Sequence, residues 1–182
     1  FLILFGGGPA MAGASYLTRN FSREEPVFLW SDFIYVLKQN FKQSLLVGIT
    51  DILIFLVLGV AYSFYGKIGG IGTILQYLLM SVLIVFIFMH FYMYQMMVTF
   101  DMKLRDIYYQ SFLFAIGCFP KNLLMLAVIL LLHIGGVLLG FQSGLFMSIM
   151  LLLEIGILIS ATIFFINYNA NLIFARLHFL KQ

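Results

Sequence analysis

Two long apolar runs, residues 41–65 and 74–100, stand back to back with little but Lys67 and the glycines 69, 70 and 72 between them. Each is long enough to cross a hydrocarbon core of about 30 Å as a helix rising about 1.5 Å per residue. Backbone groups in lipid must find their hydrogen bonds within the chain, so such a pair reads as a helical hairpin through a membrane. Composition agrees, because only 9% of the 182 residues are charged, against about 25% in an ordinary soluble domain. Seven acidic and ten basic residues do not cover a globule of this size. The single cysteine, Cys118, excludes an internal disulfide framework and a cysteine-based metal cluster. A net charge of +3 without a basic tract argues against a nucleic-acid partner.

The remaining segments fit one all-α domain over residues 1–182 with about five membrane spans. Phe1–Phe5 reads as the tail of a first span rather than as the core of a signal peptide, although Ala10-Met11-Ala12 resembles a cleavage site. Gly6-Gly7-Gly8-Pro9 is expected to end that span, with a short helix over Ala10–Asn20. Ser22 and Glu25 form a capping-box pattern, with Pro26 in the first turn that follows. Over 26–40, Trp30, Phe33, Ile34 and Leu37 recur at helical spacing opposite Asp32, Lys38 and Gln39, with Phe41 and Lys42 just beyond. This predicts an amphipathic helix lying in the membrane surface or packed on protein there, with Trp30 at headgroup level. Residues 102–116, with Arg105 and Asp106 near their start, predict a second such helix. Further spans are expected at 121–140 and 145–172, joined by a turn at Phe141–Gly144.

Nine of the ten basic residues fall on one side of this arrangement and Lys67 alone on the other, which places the C-terminus in the cytoplasm. An internal echo is also visible. Ser31-Asp32-Phe33-Ile34-Tyr35 before Phe41-Lys42-Gln43-Ser44-Leu45 parallels Arg105-Asp106-Ile107-Tyr108-Tyr109 before Phe119-Pro120-Lys121-Asn122-Leu123, with an insertion in the second copy. Both units would enter the membrane from the same side, making the repeat parallel.

The order Gly8-Pro9-Ala10-Met11-Ala12-Gly13, Tyr16-Leu17-Thr18-Arg19, Glu24-Glu25-Pro26, Asp32-Phe33 and Asn40-Phe41-Lys42-Gln43-Ser44 resembles the YesL-like family of bacterial integral membrane proteins. That resemblance implies a compact multi-span protein of unassigned biochemistry, with a lead-in to the first span. It also implies an association with carbohydrate importers of the ATP-binding-cassette type. It brings no catalytic residues.

Four ionisable residues fall inside the expected spans. Asp51 lies about 13 Å along its helix from Lys42, where an aspartate costs on the order of 2.5–3.5 kcal/mol unless it faces protein or water. Gly48 and Gly59 flank it as helix-packing positions. Folding the hairpin about Lys67–Gly70 brings His90 to a matching depth. His133, beside the Gly136/Gly140 packing surface, matches Glu154 in the last hairpin. Each hairpin therefore holds one acid and one histidine, either as a buried hydrogen bond or as part of a substrate, ion or proton path. No HExxH or phosphate loop accompanies them, and neither metal nor cofactor is expected.

These features predict a non-enzymatic accessory protein of the bacterial cytoplasmic membrane. Its partners would be the bilayer and either a transporter permease or a second copy, met through Trp30, Asp32, Lys38, Lys42, Arg105 and Asp106. The alternative is a small transporter or channel built on Asp51, His90, His133 and Glu154.

Overall fold

The computed structural model describes residues 2–140 and 144–176, without the side chains of 2–6, 135–137, 139, 140 and 155. Within these the chain is helical throughout: α1 (Leu2–Ser22), α2 (Leu29–Gln39), α3 (Phe41–Gly66), α4 (Ile71–Thr99), α5 (Leu104–Gly117), α6 (Phe119–Gly140) and α7 (Gly144–Leu153). A π-helical turn, Glu154–Leu158, then leads into α8 (Ile159–Arg176). Among the described residues, three helical stretches are long and apolar enough to cross a membrane, namely α3, α4 and Gly144–Arg176. The pair α5–α6, bent by 88°, makes a fourth if counted as one broken span.

Gly6-Gly7-Gly8-Pro9 does not end a helix. α1 runs straight through it, with Pro9 inside and fully buried. Gly8 serves contact rather than termination: a Cβ there would clash with the Ser44 carbonyl oxygen and lie 2.9 Å from its carbon, whereas one on Gly7 would meet nothing within 4 Å. Gly13 likewise lies under the Phe33 ring, 2.7 Å from where its Cβ would be. α1 actually ends at Ser22 in a Schellman-type closure, with Glu25 N–H donating to Asn20 O and Glu24 N–H to Phe21 O. Glu24 holds the left-handed position, at φ +57°, which glycine occupies at less cost.

The expected capping box is also replaced. Ser22 hydroxyl donates back to Arg19 O within α1, and α2 starts only at Leu29, three residues beyond Pro26. Asp32 closes that start instead, accepting the Phe28 N–H at 2.9 Å. The expected span over 145–172 is one helical stretch, Gly144–Arg176, with a π-helical turn at Glu154–Leu158 inside it. The turn expected at Phe141–Gly144 lies, apart from Gly144, outside the described residues, as does Lys181.

The parallel echo corresponds to matching geometry. α2 and α5 are short helices, 11 and 14 residues, each followed by a one-residue break and a long helix. The breaks, Asn40 (φ −97°, ψ 9°) and Cys118 (φ −105°, ψ 23°), share nearly the same backbone conformation. Four residues beyond each break stands a fully buried polar side chain, Ser44 or Asn122. At the second break Pro120 brings no N–H, so the helical ladder cannot run on unbroken.

The core lies where α1, α4, α5 and α8 converge, at the end that carries most of the basic residues. Every residue of α4 from Phe91 to Met97 is buried there. Phe114 stacks on Tyr92 at 5.2 Å and meets Phe174 edge-on at 5.3 Å. Met93, Met96 and Met97 fill this core as flexible packing. Towards the opposite end α3 and α4 bury little and expose Phe55, Leu56, Val57, Ile74 and Tyr77. That zoning is expected of a bundle whose apolar surroundings are lipid.

Candidate functional site

The hairpin α3–α4 turns through Gly69 and Gly70, at φ +68° and +50°, conformations that glycine takes without Cβ strain. This register sets His90 Nε2 3.0 Å from Asp51 Oδ1, while His90 Nδ1 lies 2.9 Å from the Phe86 carbonyl. A carbonyl only accepts, so Nδ1 carries a hydrogen. One further proton then lies between Nε2 and the carboxylate, and the pair is neutral overall whichever partner holds it. That neutrality reduces the cost of the depth. The two side chains are 19% and 24% exposed, so they are mostly covered but not sealed. The Tyr94 ring lies 6.4 Å from that of His90.

His133 bonds Glu154 through Nδ1 and Thr162 Oγ1 through Nε2, the latter at 2.9 Å. Glu154 opens the π-helical turn. Thr162 can donate or accept, so the proton count here is not forced as it is at Asp51. Each pair forms within its own hairpin. Replacing His90 by Ala should lower stability by about 1–3 kcal/mol, because a mostly covered carboxyl loses its partner. Asp51→Leu/His90→Leu together should cost less, since no polar group is then stranded. Thermal unfolding in detergent measures both, and equal melting of wild type and His90→Ala would remove the pair's structural role.

The packing positions divide. Gly48 meets Gly8 at ordinary contact distance, 3.7 Å from its would-be Cβ. A Cβ on Gly59 would meet nothing within 4 Å, so none of the described helices packs closely against it. Between the Phe55–Phe86 contact at 6.1 Å and the hydrogen bond from the Gln76 amide to the Tyr62 carbonyl at 3.0 Å, α3 and α4 leave a gap of about 190 Å³ beside Gly59. The surroundings of Gly136 and Gly140 lie outside the described side chains. On α2, Trp30 is 77% exposed and stacks on Phe33. Lys38, Lys42, Arg105 and Asp106 are exposed, and Asp32 is partly covered by its bond to the α2 start.

A second polar constellation, at the basic end, is only partly visible in the sequence. Asn167 donates to Thr18 Oγ1 at 2.8 Å and Asn171 to Ser22 Oγ at 2.6 Å, fastening α8 to α1. Gln95 of α4 donates to Asn171 Oδ1 at 2.7 Å. Arg19 reaches the Val98 carbonyl at 2.7 Å and Asn20 Oδ1 at 2.8 Å, and its guanidinium lies 4.6 Å from the Tyr16 ring centroid. Asparagines near the end of a last span read as interface polarity, yet Asn167 and Asn171 are buried rungs. Asn20, Gln95 and Asn122 escape a reading of the sequence; their only signal is an amide on a helix that is otherwise apolar. Beside this network a polar cleft of about 400 Å³ opens between α1, α2 and the end of α4, lined by Tyr16, Tyr35, Gln39, Gln43 and Asp101.

The helices that build this end are α1, α2 and the first part of α3, packed through Gly8, Gly13 and Ser44. Residues 1–62 match the family described as "Protein of unknown function, DUF624". YesL-like proteins carry DUF624, so the match is consistent with that resemblance. No curated protein and no solved structure matches the chain. Within the matched residues, the groups behind the resemblance have physical tasks. Gly8 and Gly13 admit α3 and α2, Arg19 ties α1 to the end of α4, and Ser44 hydroxyl donates to the Asn40 carbonyl at the break.

Proposed function

We propose that this protein is a non-enzymatic accessory protein of the bacterial cytoplasmic membrane that docks on another membrane protein through α2. In this reading five helices span the bilayer: α1, α3, α4, α6, and α7 with α8. The basic end and the C-terminus face the cytoplasm, following the basic-residue bias. The observation that carries the reading is the exposure of α2. Only Val36 of this helix is buried, while Phe28, Leu29, Trp30 and Tyr35 are 60–77% exposed at the surface end of the bundle. Aromatic side chains held on a short, rigid helix are the anchors that protein contacts favour. The family resemblance points to a transporter permease of the carbohydrate-importing class as the partner.

Two features weigh against the transporter reading. Asp51 and Glu154 each bond a histidine of their own hairpin, and the polar network at the basic end ties helices together. Flux through reconstituted protein that falls with Asp51→Asn or Glu154→Gln would favour transport instead. For the docking reading, affinity purification in mild detergent should recover a stoichiometric membrane partner. Leu29→Ser/Trp30→Ser should release that partner while melting is unchanged. Solitary protein in several detergents overturns the reading.

A further inference from the structure

Away from α2, a groove of about 420 Å³ runs between α6 and α8 at the basic end. Its walls are apolar, formed by Leu124 and Val128 of α6 and by Phe165 and Leu172 of α8. Two cations stand among its lining residues, Lys121 in the first turn of α6 and Arg176 at the end of α8. Both are exposed, and neither forms an ion pair with a carboxylate among the described residues. We propose that this groove holds one anionic phospholipid of the adjoining leaflet, its phosphate between Lys121 and Arg176 and an acyl chain along Leu124, Val128, Phe165 and Leu172. The zoning supports a lipid rather than a soluble anion. A phosphate alone would use the cations and leave the apolar walls bare, whereas a lipid covers both. Basic pockets between spans on a cytoplasmic face commonly take such headgroups. The groove also holds an amide, Asn169, among its lining residues.

The test uses the full chain in nanodiscs of phosphatidylcholine, alone or mixed equally with phosphatidylglycerol, followed by native mass spectrometry after gentle release. Wild type should retain one phosphatidylglycerol in preference to phosphatidylcholine. Lys121→Gln/Arg176→Gln should weaken that retention about 30-fold, at about tenfold for every 1.4 kcal/mol and about 1 kcal/mol for each cation at a membrane surface. Lys38→Gln/Lys42→Gln removes the same charge away from the groove and should leave retention nearly unchanged. Leu124→Trp, which fills the groove and keeps both cations, should also lower it. Soluble glycerol phosphate should not compete. Equal losses for the two charge pairs would reduce the effect to general surface attraction and overturn the site. So would effective competition by glycerol phosphate, or no preference for phosphatidylglycerol.

Discussion

Gly8→Val should be among the most damaging single substitutions in this chain, costing roughly 3 kcal/mol or more. The obstacle is backbone, not a side chain that can rotate away. A Cβ at position 8 would clash with the Ser44 carbonyl oxygen and lie 2.9 Å from the carbonyl carbon. Ser44 is itself fixed, fully buried and bonded through its hydroxyl to Asn40 O at 2.7 Å. To admit the side chain, α1 and α3 must move apart, which loosens the core to which Ala12 and Val47 both belong. Gly48→Ala is the matched control. Its Cβ would meet Gly8 at 3.7 Å, ordinary contact, and alanine favours a helix by up to about 1 kcal/mol over glycine. Melting in detergent should therefore fall sharply for Gly8→Val and hold or rise for Gly48→Ala. Similar melting for the two variants would mean that α1 is not seated on α3 as described.

Asn122→Leu should cost about 2–4 kcal/mol, because it strands the Tyr92 hydroxyl and the Ala115 carbonyl, each worth about 1–3 kcal/mol, while the Phe114 carbonyl keeps the Cys118 N–H. Its oxygen accepts the Tyr92 hydroxyl at 2.5 Å, and its amide donates to the Phe114 and Ala115 carbonyls at 3.2 and 3.1 Å. Those carbonyls sit at the end of α5, where the break and Pro120 interrupt the helical ladder. Asn122 thus holds the 88° corner between α5 and α6 and pins it to α4. Tyr92→Phe alone should cost less, about 1 kcal/mol, since Asn122 keeps both carbonyls. The double variant should cost less than the sum of the two, which is the signature of a direct bond. Amide exchange in α5 should also quicken in Asn122→Leu. Strict additivity, or unchanged exchange, would show that the corner is held by packing alone.

The partners of the acid–histidine pairs are legible in the amino-acid sequence, because depth along a helix is arithmetic once a hairpin turn is located. Lys67 with Gly69 and Gly70 locates one turn, so Asp51 and His90 follow. The network at the basic end is not legible in the same way. Asn122, Gln95 and Asn20 look like stray amides on apolar helices. Their meaning depends on which helix faces them, and a helical sequence states a face without stating its neighbour. Gly6-Gly7-Gly8-Pro9 misleads for a related reason. Glycine and proline ordinarily mark helix ends, yet here the side chain absent at Gly8 makes room for α3, and packing offsets the poor helix propensity.

By itself, the sequence determined the solvent and the element type. Long apolar runs in a chain with so few charges require lipid around them, and lipid requires helices that satisfy their own backbones. It also determined that Asp51 would meet His90 and His133 would meet Glu154, because matching positions across a hairpin follow from helical rise once its turn is located. Only the tertiary structure decided which faces meet: α1 running unbroken through Pro9 against α3, α8 fastened to α1 through Asn167 and Asn171, and the corner at Asn122. Between helices in a membrane the surrounding lipid is as apolar as the side chains, so the apolar pattern says little about partner choice. Close approach of small residues and a few directional hydrogen bonds decide it, and both depend on atoms far apart in the chain.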